Sequence, residues 1–213
     1  SHIISFIDSG CLTAVGDYCF KESSIEAIDI PYVTELGVEC FKDCTSLIDD
    51  FPYVTSIGVN CFEGCISLVN PNFSSLVTIG DSGFKNCTSL TSITPTNLEE
   101  IGDYGFYGCS SMTSISAANV TNIGDYSFAS TNLTDINLPS LSSMGCTTGD
   151  NNVFNGITGK TIYINMPSTL FTCNNGDPDG DLDYLSSNNT VKLTREGYAT
   201  VATTSGVGYE WSN

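Results

Sequence analysis

Basic residues are scarce in this sequence. Its 213 residues include 6 Lys and Arg against 24 Asp and Glu, and the formal net charge is −18 at pH 7. Proteins bind nucleic acids and anionic membrane surfaces largely through Lys and Arg, so this balance argues against both kinds of partner. It suits instead a soluble surface protein, a basic partner or cations.

Histidine and long apolar runs are also lacking. The single histidine is His2, so the chain offers no His-based catalytic triad and no histidine general base. It has no Gly-rich phosphate loop with Lys, and no apolar run approaches the ~18 residues of a membrane span. We therefore expect a protein that is not an enzyme and does not insert into a membrane in this segment. No signal peptide is visible, and because the sequence starts inside a repeat we expect that an export signal has been removed.

A repeat of 21 or 22 residues dominates what is present. An apolar residue followed by Gly recurs seven times, and a Phe stands four residues after each of the first six glycines. The glycines are Gly16, Gly37, Gly58, Gly80, Gly102, Gly124 and Gly145, and the aromatic residues are Phe20, Phe41, Phe62, Phe84, Phe106 and Phe128. A fixed period of this size predicts a solenoid of stacked coils, since no coil can bury its apolar face alone.

Two stretches within each repeat predict local structure. Runs such as Leu90-x-x-Ile93 alternate and are often closed by Pro, which predicts a short strand with one face inward. The segment Gly-Asp-Tyr-x-Phe then turns the chain. Asp81, Asp103 and Asp125 suit the cap of one short helical turn, from which Phe reaches the core.

These residues resemble the BspA-like leucine-rich repeats, whose unit runs roughly Ile-Gly-x-x-Ala-Phe-x-x-Cys-x-x-Leu-x-x-Ile. The resemblance is close from Val15 to Pro139 and continues, with an insertion, to about Met166. It implies an α/β repeat solenoid, a right-handed superhelix of about seven or eight coils. A short-stranded parallel sheet would form the concave face, short helical turns the convex face, and a small cap the C-terminal end. Members of this family are mostly bacterial and secreted or at the cell surface, and the best known are adhesins, so we expect an extracellular location.

The domain organisation follows from where the period holds. We expect one solenoid over residues 1–166, with regular coils over about 15–139 and an irregular last coil over 140–166. Residues 167–213 are expected to form a C-terminal cap or the start of a further module, because terminal repeats of solenoids are atypical.

One repeat is a residue short. Ten residues separate Leu47 from Ile57, where the equivalent interval elsewhere is eleven, so Asp49 or Asp50 falls where neighbouring repeats have Ile. The next repeat has Pro71 at that position, and Pro cannot donate to a strand ladder. Either the sheet is merely looser in these two coils, or a distorted patch recognises something.

The ten cysteines follow the repeat. Most of them stand three residues after or one residue before the repeat Phe, which predicts two stacked columns of small buried thiols. Side chains in one column point the same way, so we expect them reduced. Cys40 and Cys44 are spaced like ligands on a helical turn, but no His is available to complete a zinc site, and none is expected.

The residues that flank each inward Ile of the Leu-x-x-Ile strands should point outward, because side chains alternate along a strand. We predict that this concave face binds an extracellular protein or glycan, with the chain as a monomer. An accessory carbohydrate-active or peptidase enzyme using acidic residues such as Asp29, Asp49, Asp50 and Asp135, or a structural spacer, remain alternatives. The predicted binding residues are Ala27, Asp29, Asn70, Asn72, Ser92, Thr94, Ser114, Ser116, Asp135 and Asn137.

An acidic loop near the C-terminal end of the sequence predicts one possible cofactor, a calcium ion. Oxygen-bearing side chains alternate there, Gly180 stands sixth, and the loop resembles the first nine positions of an EF-hand loop. Position twelve is Ser186 rather than a bidentate Glu, so affinity would be low. Carboxylates that cap the run Leu182 to Leu185 explain the same pattern without metal. The candidate ligands are Asn175, Asp177, Asp179, Asp181 and Asp183.

Overall fold

A computed structural model describes residues 5–7, 12–144, 153–165, 188–195, 198–202 and 209–210 of the chain. Fifteen short strands are described among these residues. They wind as a solenoid, in which each repeat contributes a strand to a long parallel sheet and some repeats contribute a second strand to another sheet.

The longer sheet has seven parallel strands, one from each successive repeat, so it spans six complete turns. Each strand is two residues long and ends at the apolar residue that precedes the repeat glycine. That apolar residue is buried in every strand, and the residue before it faces outward. The strands are β2 (Ala14–Val15), β4 (Glu35–Leu36), β5 (Ser56–Ile57), β6 (Thr78–Ile79), β7 (Glu100–Ile101), β9 (Asn122–Ile123) and β11 (Ser143–Met144).

The predicted Leu-x-x-Ile strands form only in some repeats. Near the N-terminus β1 and β3 pair in parallel, and further along β8, β10, β12 and β13 pair in parallel, with β14 and β15 added antiparallel. The three repeats between β3 and β8 have no strand at this position in the part that the structure describes. The strands are β1 (Ser5–Ile7), β3 (Ala27–Asp29), β8 (Ser114–Ser116), β10 (Asp135–Asn137), β12 (Thr161–Asn165), β13 (Thr190–Arg195), β14 (Tyr198–Ala202) and β15 (Tyr209–Glu210).

The predicted core is confirmed. Seven phenylalanine rings, from Phe20 to Phe154, stack in one column with centroids 5.2 to 6.0 Å apart and planes within 10° of parallel. Two further rings, Phe51 and Phe73, meet this column at steep angles. Offset and edge-to-face aromatic contacts of this kind add to the free energy gained by burying the rings.

The repeat glycines are required where one coil passes the coil before it. A Cβ added at Gly58 would lie 2.6 Å from the carbonyl carbon of Gly37 and 2.7 Å from the amide nitrogen of Val38. Both are backbone atoms that cannot move aside, so only glycine allows the two coils to approach this closely.

The prediction of short helical turns is wrong for the described repeats. The turn around the repeat Phe contains two left-handed residues, such as Glu39 at φ 51° and Asp43 at φ 58°. A right-handed helix cannot pass through either conformation. The turns are held instead by backbone hydrogen bonds between coils, such as the 2.8 Å bond that the N–H of Phe41 donates to the carbonyl of Cys61.

The aspartates predicted as helix caps bridge neighbouring coils. The N–H of Asp103 donates to Asp81 Oδ1 at 3.0 Å, and the N–H of Asp125 donates to Asp103 Oδ1 at 2.8 Å. A carboxylate in this position satisfies an amide of the next coil, which is why the residue recurs with the period rather than with any helix.

The cysteine columns are buried with one exception. Cys40, Cys44, Cys61, Cys65, Cys87 and Cys109 are buried, whereas Cys19 is exposed, which corrects the prediction for that residue; all seven are free thiols. In the column that stands three residues after the repeat Phe, each thiol donates to a Phe carbonyl of an earlier coil, as from Cys65 Sγ to the carbonyl of Phe41 at 3.0 Å. Burial raises the pKa of Cys44 to about 11 and that of Cys109 to about 12.

A candidate binding face and the cleft at its edge

The ten residues predicted to form the binding face all lie outside the core. Each pair flanks one buried residue, as Ser114 and Ser116 flank Ile115, and each member of a pair is exposed or half-buried. The predicted outward orientation is therefore confirmed, and the binding role stays a prediction.

Side chains of this face hydrogen-bond from coil to coil. Asn137 Nδ2 donates to Ser116 Oγ at 2.9 Å, and Asn165 Nδ2 donates to Asn137 Oδ1 at 2.8 Å. Two coils earlier, Ser92 Oγ donates to Asn70 Oδ1 at 3.4 Å. The face is thus a ladder of small polar groups whose positions are fixed by their neighbours before a partner arrives.

A cleft of about 540 Å³ lies at one edge of the face. Residues 27–31, 33 and 49–54 line it, and these come from two consecutive coils. The second of these segments belongs to the repeat that is one residue short. The cleft therefore lies where the sequence departs from its period. The sheet is interrupted there, as the first interpretation of the short repeat expects, and the interrupted surface is concave, which is compatible with the second interpretation, a patch that recognises a ligand.

Two aspartates replace the missing strand. Asp49 Oδ2 accepts a short hydrogen bond from the N–H of Ile28, and Asp49 Oδ1 accepts one from the N–H of Asp50 at 2.8 Å. On the far side, Asp50 Oδ1 accepts from the N–H of Asn72 at 2.7 Å. The carboxylates satisfy backbone amides that a full-length coil would meet with its own carbonyls.

Most of the basic side chains described lie elsewhere, on the surface of the turns. Lys21 Nζ is 2.6 Å from Glu39 Oε2, and Lys42 Nζ is 2.7 Å from Glu63 Oε2, with Lys85 3.6 Å from Glu63 Oε1. The hydrogen bond between Lys21 and Glu39 raises the pKa of the lysine and lowers the pKa of the glutamate. These three lysines are half of the basic residues in the chain.

The cleft, in contrast, is acidic without a counter-charge. Asp29, Asp49 and Asp50 are exposed or half-buried in its lining, and none of them makes an ion pair with a Lys or Arg that the structure describes. The negative charge of this edge is therefore available to a ligand.

Two tyrosines beside the cleft were not singled out by the sequence analysis. Tyr32 and Tyr53 occupy equivalent positions in consecutive coils and are 59% and 58% exposed, far more than a large apolar ring usually is. Tyr53 lines the cleft. The signal was the Pro-Tyr-Val triplet, which occurs at residues 31–33 and again at residues 52–54.

The predicted calcium ligands, residues 175–183, lie outside the described residues. Within the described part of the chain, no group of three or more His, Cys, Asp or Glu side chains is arranged to hold a metal ion. In the same part, no helix has the length and apolar character that crossing a membrane requires.

The repeated coil, the phenylalanine column and the parallel sheets define a leucine-rich repeat solenoid. Comparison with family models gives the particular type: the chain matches the BspA type leucine rich repeat region in six copies, over residues 2–78 and 55–176. The chain therefore belongs to the BspA-type leucine-rich repeat family, and the resemblance found in the sequence is confirmed.

A solved leucine-rich repeat structure agrees on the fold. The leucine rich repeat protein of T. pallidum is similar at 28% identity with a TM-score of 0.59, over 65% of this chain and 69% of that one. A leucine-rich repeat protein from Bacteroides ovatus matches at 22% identity and TM-score 0.36, over 72% and 53% of the two chains. A leucine rich cell surface protein from Faecalibacterium prausnitzii matches at 17% and 0.37, over 72% and 68%. No curated protein matches the sequence.

Proposed function

We propose that the protein is a non-enzymatic binding module, secreted or displayed at a cell surface, that presents its polar sheet face to an extracellular protein or a glycan. The observation that supports this is the polar ladder: ten predicted residues point outward in register, on one side of a scaffold that repeats over six turns. A repeating face of this kind suits a partner that is itself extended or repetitive.

The chemistry of the face predicts how strongly it binds. Its side chains are small, with Ser, Thr, Asn and Asp predominating, so a partner can come close to the backbone but finds no aromatic or Arg anchor on it. Such anchors carry most of the binding energy in protein interfaces. Each copy should therefore bind weakly as a monomer, and display of many copies on one surface would raise the overall avidity.

The acidic residues support a binding role more than a catalytic one. Asp49 and Asp50 use their oxygens to accept backbone amides of the scaffold. A glycosidase would need two carboxyl groups free to flank a sugar.

An array of glycans and extracellular-matrix proteins tests the proposal, with the parent compared to two single variants. Ser114→Trp places a large ring on the face and should abolish binding. Asn122→Trp places the same ring at an exposed position of the longer sheet and should leave binding unchanged. Equal binding by all three proteins would move the site away from this face, and no binding by the parent to any ligand would favour a structural spacer.

A further inference from the structure

The two coils that line the cleft are held together by hydrogen bonds of their own. The N–H of Ile48 donates to the carbonyl of Glu26 at 3.0 Å, and Asp49 Oδ2 accepts from the N–H of Ile28. The other oxygen of Asp49 accepts from the N–H of Asp50 at 2.8 Å. The Asp49 carboxylate therefore belongs to the scaffold, and a ligand would be recognised by the other side chains of the cleft.

Two carboxylates remain in a lining that is otherwise apolar or aromatic. Asp29 is exposed, and among the described residues none donates a hydrogen bond to its carboxylate or forms an ion pair with it. Asp50 is also exposed and uses Oδ1 to accept from the N–H of Asn72 at 2.7 Å, which leaves Oδ2. The cleft can therefore neutralise a positive charge while its apolar surface covers the aliphatic stem that carries the charge.

Two tyrosines at the cleft differ from other exposed tyrosines of the chain in what covers their rings. A lysine ammonium lies 5.6 Å from the ring centroid of Tyr18, and another lies 5.8 Å from that of Tyr104. Tyr53, which lines the cleft, and Tyr32, one coil earlier, have no cation or aromatic ring against them among the described residues. Tyrosine faces attract cations, so this uncovered pair suits a cation that comes from outside the chain.

Exposed aliphatic side chains beside the cleft indicate that the cation belongs to a protein. Ile48, which directly precedes Asp49, is 67% exposed, and Val69, at the same position one coil later, is 49% exposed. The next two coils carry Thr91 and Thr113 at this position. Exposed aliphatic residues in neighbouring coils are typical of a surface that a protein partner covers. A metal ion, a free amine or a sugar would leave them in water.

The chemistry of the cleft favours arginine over lysine as that cation. A guanidinium group is planar, so it can stack on a tyrosine ring and still present two N–H groups to one carboxylate. Both oxygens of Asp29 lack a partner among the described residues, as a contact through two hydrogen bonds requires. A lysine ammonium is a compact point charge that offers neither the flat face nor the fork of donors.

We propose that the cleft is the docking site for an arginine side chain on the surface of a protein partner. The guanidinium group stacks on the Tyr53 ring, forms two hydrogen bonds with Asp29 and lies within reach of the Asp50 charge. Apolar residues that flank the arginine on the partner cover Ile48 and Val69. Such an arginine is the kind of anchor that carries much of the binding energy in protein interfaces. The inference rests on the proposed binding function and names the chemistry of the partner.

Three labelled peptides with blocked ends test it by fluorescence anisotropy: Gly-Leu-Ser-Arg-Ser-Leu-Gly, and the same peptide with citrulline or with Lys in place of Arg. Citrulline keeps the shape of arginine without its charge. We expect the parent to bind the arginine peptide with a Kd of roughly 0.1–1 mM, because so short a segment has few contacts. The citrulline peptide should bind at least about fivefold more weakly, and the lysine peptide about threefold more weakly. Either peptide binding as tightly as the arginine peptide would overturn the proposal.

Variants of the two contact residues locate the binding. Asp29→Asn should weaken the arginine peptide by about fivefold or more, because the amide keeps the shape of the carboxylate without its charge. Tyr53→Leu should weaken it by about threefold, because leucine is apolar but offers no ring face. Both side chains are exposed, so neither change disturbs the core.

The chain offers a matched control outside the cleft. Asp135 and Tyr163 are exposed partners in the paired strands β10 and β12. Asp135→Asn and Tyr163→Leu remove the same groups from this regular part of the sheet, and each should change affinity less than about twofold. Equal losses in the cleft and control variants would overturn the proposal, because a diffuse negative charge or any exposed ring would then explain the binding.

The array of glycans and extracellular-matrix proteins separates this inference from the proposed function. A protein that binds there should lose at least about fivefold in affinity with Asp29→Asn and also with Ile48→Ser. A protein whose binding Ser114→Trp removes, but neither of these variants weakens, would overturn the cleft and support the wider proposal. Glycans that bind only when Asp29 is intact, with no arginine peptide bound up to about 5 mM, would overturn the arginine and replace it by a carbohydrate.

Discussion

The close approach of neighbouring coils at the repeat glycines makes a sharp stability prediction. Gly58→Ala adds one methyl group at a position where a Cβ would lie 2.6 Å from the carbonyl carbon of Gly37 and 2.8 Å from its oxygen. Gly58 is not one of the glycines with positive φ, so the backbone conformation itself accepts alanine. The whole effect should therefore come from the contact between coils.

The size of the effect can be worked out from these distances. Carbon atoms in contact stay about 3.5–4.0 Å apart, so the two coils must separate by about 1 Å. The bond from the N–H of Gly58 to the carbonyl of Leu36 is 2.8 Å long. Such a shift would stretch it past the limit of a hydrogen bond. Overpacking costs about 1–3 kcal/mol and each lost bond about 0.5–1.5 kcal/mol, so we expect a loss of roughly 3 kcal/mol.

Thermal and urea unfolding followed by circular dichroism measures this loss. For a chain of this size, roughly 3 kcal/mol corresponds to a fall in Tm of about 6–12 °C. Gly16→Ala is the matched control, since a Cβ there meets no atom within 4 Å, and it should change stability by less than about 0.5 kcal/mol. A Gly58→Ala variant that melts with the parent, or a Gly16→Ala variant that loses as much, would refute the stacking explanation.

Three further predictions concern the thiols, the charges and the acidic loop. Native alkylation with iodoacetamide near pH 8, followed by peptide mapping, should label the exposed Cys19 and spare Cys65, whose burial raises its pKa; equal labelling would contradict the buried column. The pKa of Glu39 lies below its ordinary value of 4.5, chiefly through its hydrogen bond with Lys21. Its contribution to stability is therefore present above that value and lost as pH falls through the lowered pKa, so Glu39→Gln should flatten the dependence of Tm on pH between about pH 5 and about pH 3. An unchanged profile would show that the pair adds nothing. If the acidic loop binds calcium with the low affinity expected, calorimetric titration with millimolar calcium should release heat in the parent. A variant with the first two aspartates of the loop changed to Ala should release none. No heat from either protein would leave helix capping as the explanation of the acidic loop.

The period of the sequence predicted the core better than it predicted the sheets. Spacing shows which residues are buried, and the phenylalanine column from Phe20 to Phe128 followed from it directly. Each coil has two arms in which apolar and polar residues alternate: the Leu-x-x-Ile segment and the segment that ends before the repeat glycine. The spacing does not tell which of these two arms forms backbone hydrogen bonds with the next coil. The arm ending at residues such as Ile57 and Ile101 forms the continuous sheet, although the sequence analysis placed the strands in the other arm.

The helical turns were mispredicted for a different reason. Residues such as Tyr104 and Glu39 are not glycine, and a left-handed conformation costs such residues free energy, so local rules favour a right-handed turn. In the solenoid each left-handed residue aims its N–H at the next coil, as Tyr104 does at the carbonyl of Asp125 at 2.7 Å. The gain from stacking exceeds the local cost, and this gain is not visible within one repeat.

The cleft could be located in the sequence but not interpreted there. The ten-residue interval from Leu47 to Ile57 marked the place. The surface that forms at this interval depends on whether a side chain of the short repeat can accept a hydrogen bond from the backbone N–H of the preceding coil. Asp49 does so for Ile28, which only atomic positions reveal.

The position of a deletion within the coil decides its consequence. Ile25 follows Phe20 by five positions, whereas Leu47 follows Phe41 by six, so the first of these coils is also one residue short, but in its turn. There the rings of Phe20 and Phe41 still stack at 5.2 Å, and residues 20–25 are not among those that line the cleft. In this chain a one-residue deletion in the turn leaves the stacked rings in place, whereas a one-residue deletion in the strand arm coincides with the cleft. Natural or designed arrays of this type can therefore gain a pocket through a change in length alone, while every core side chain keeps its identity.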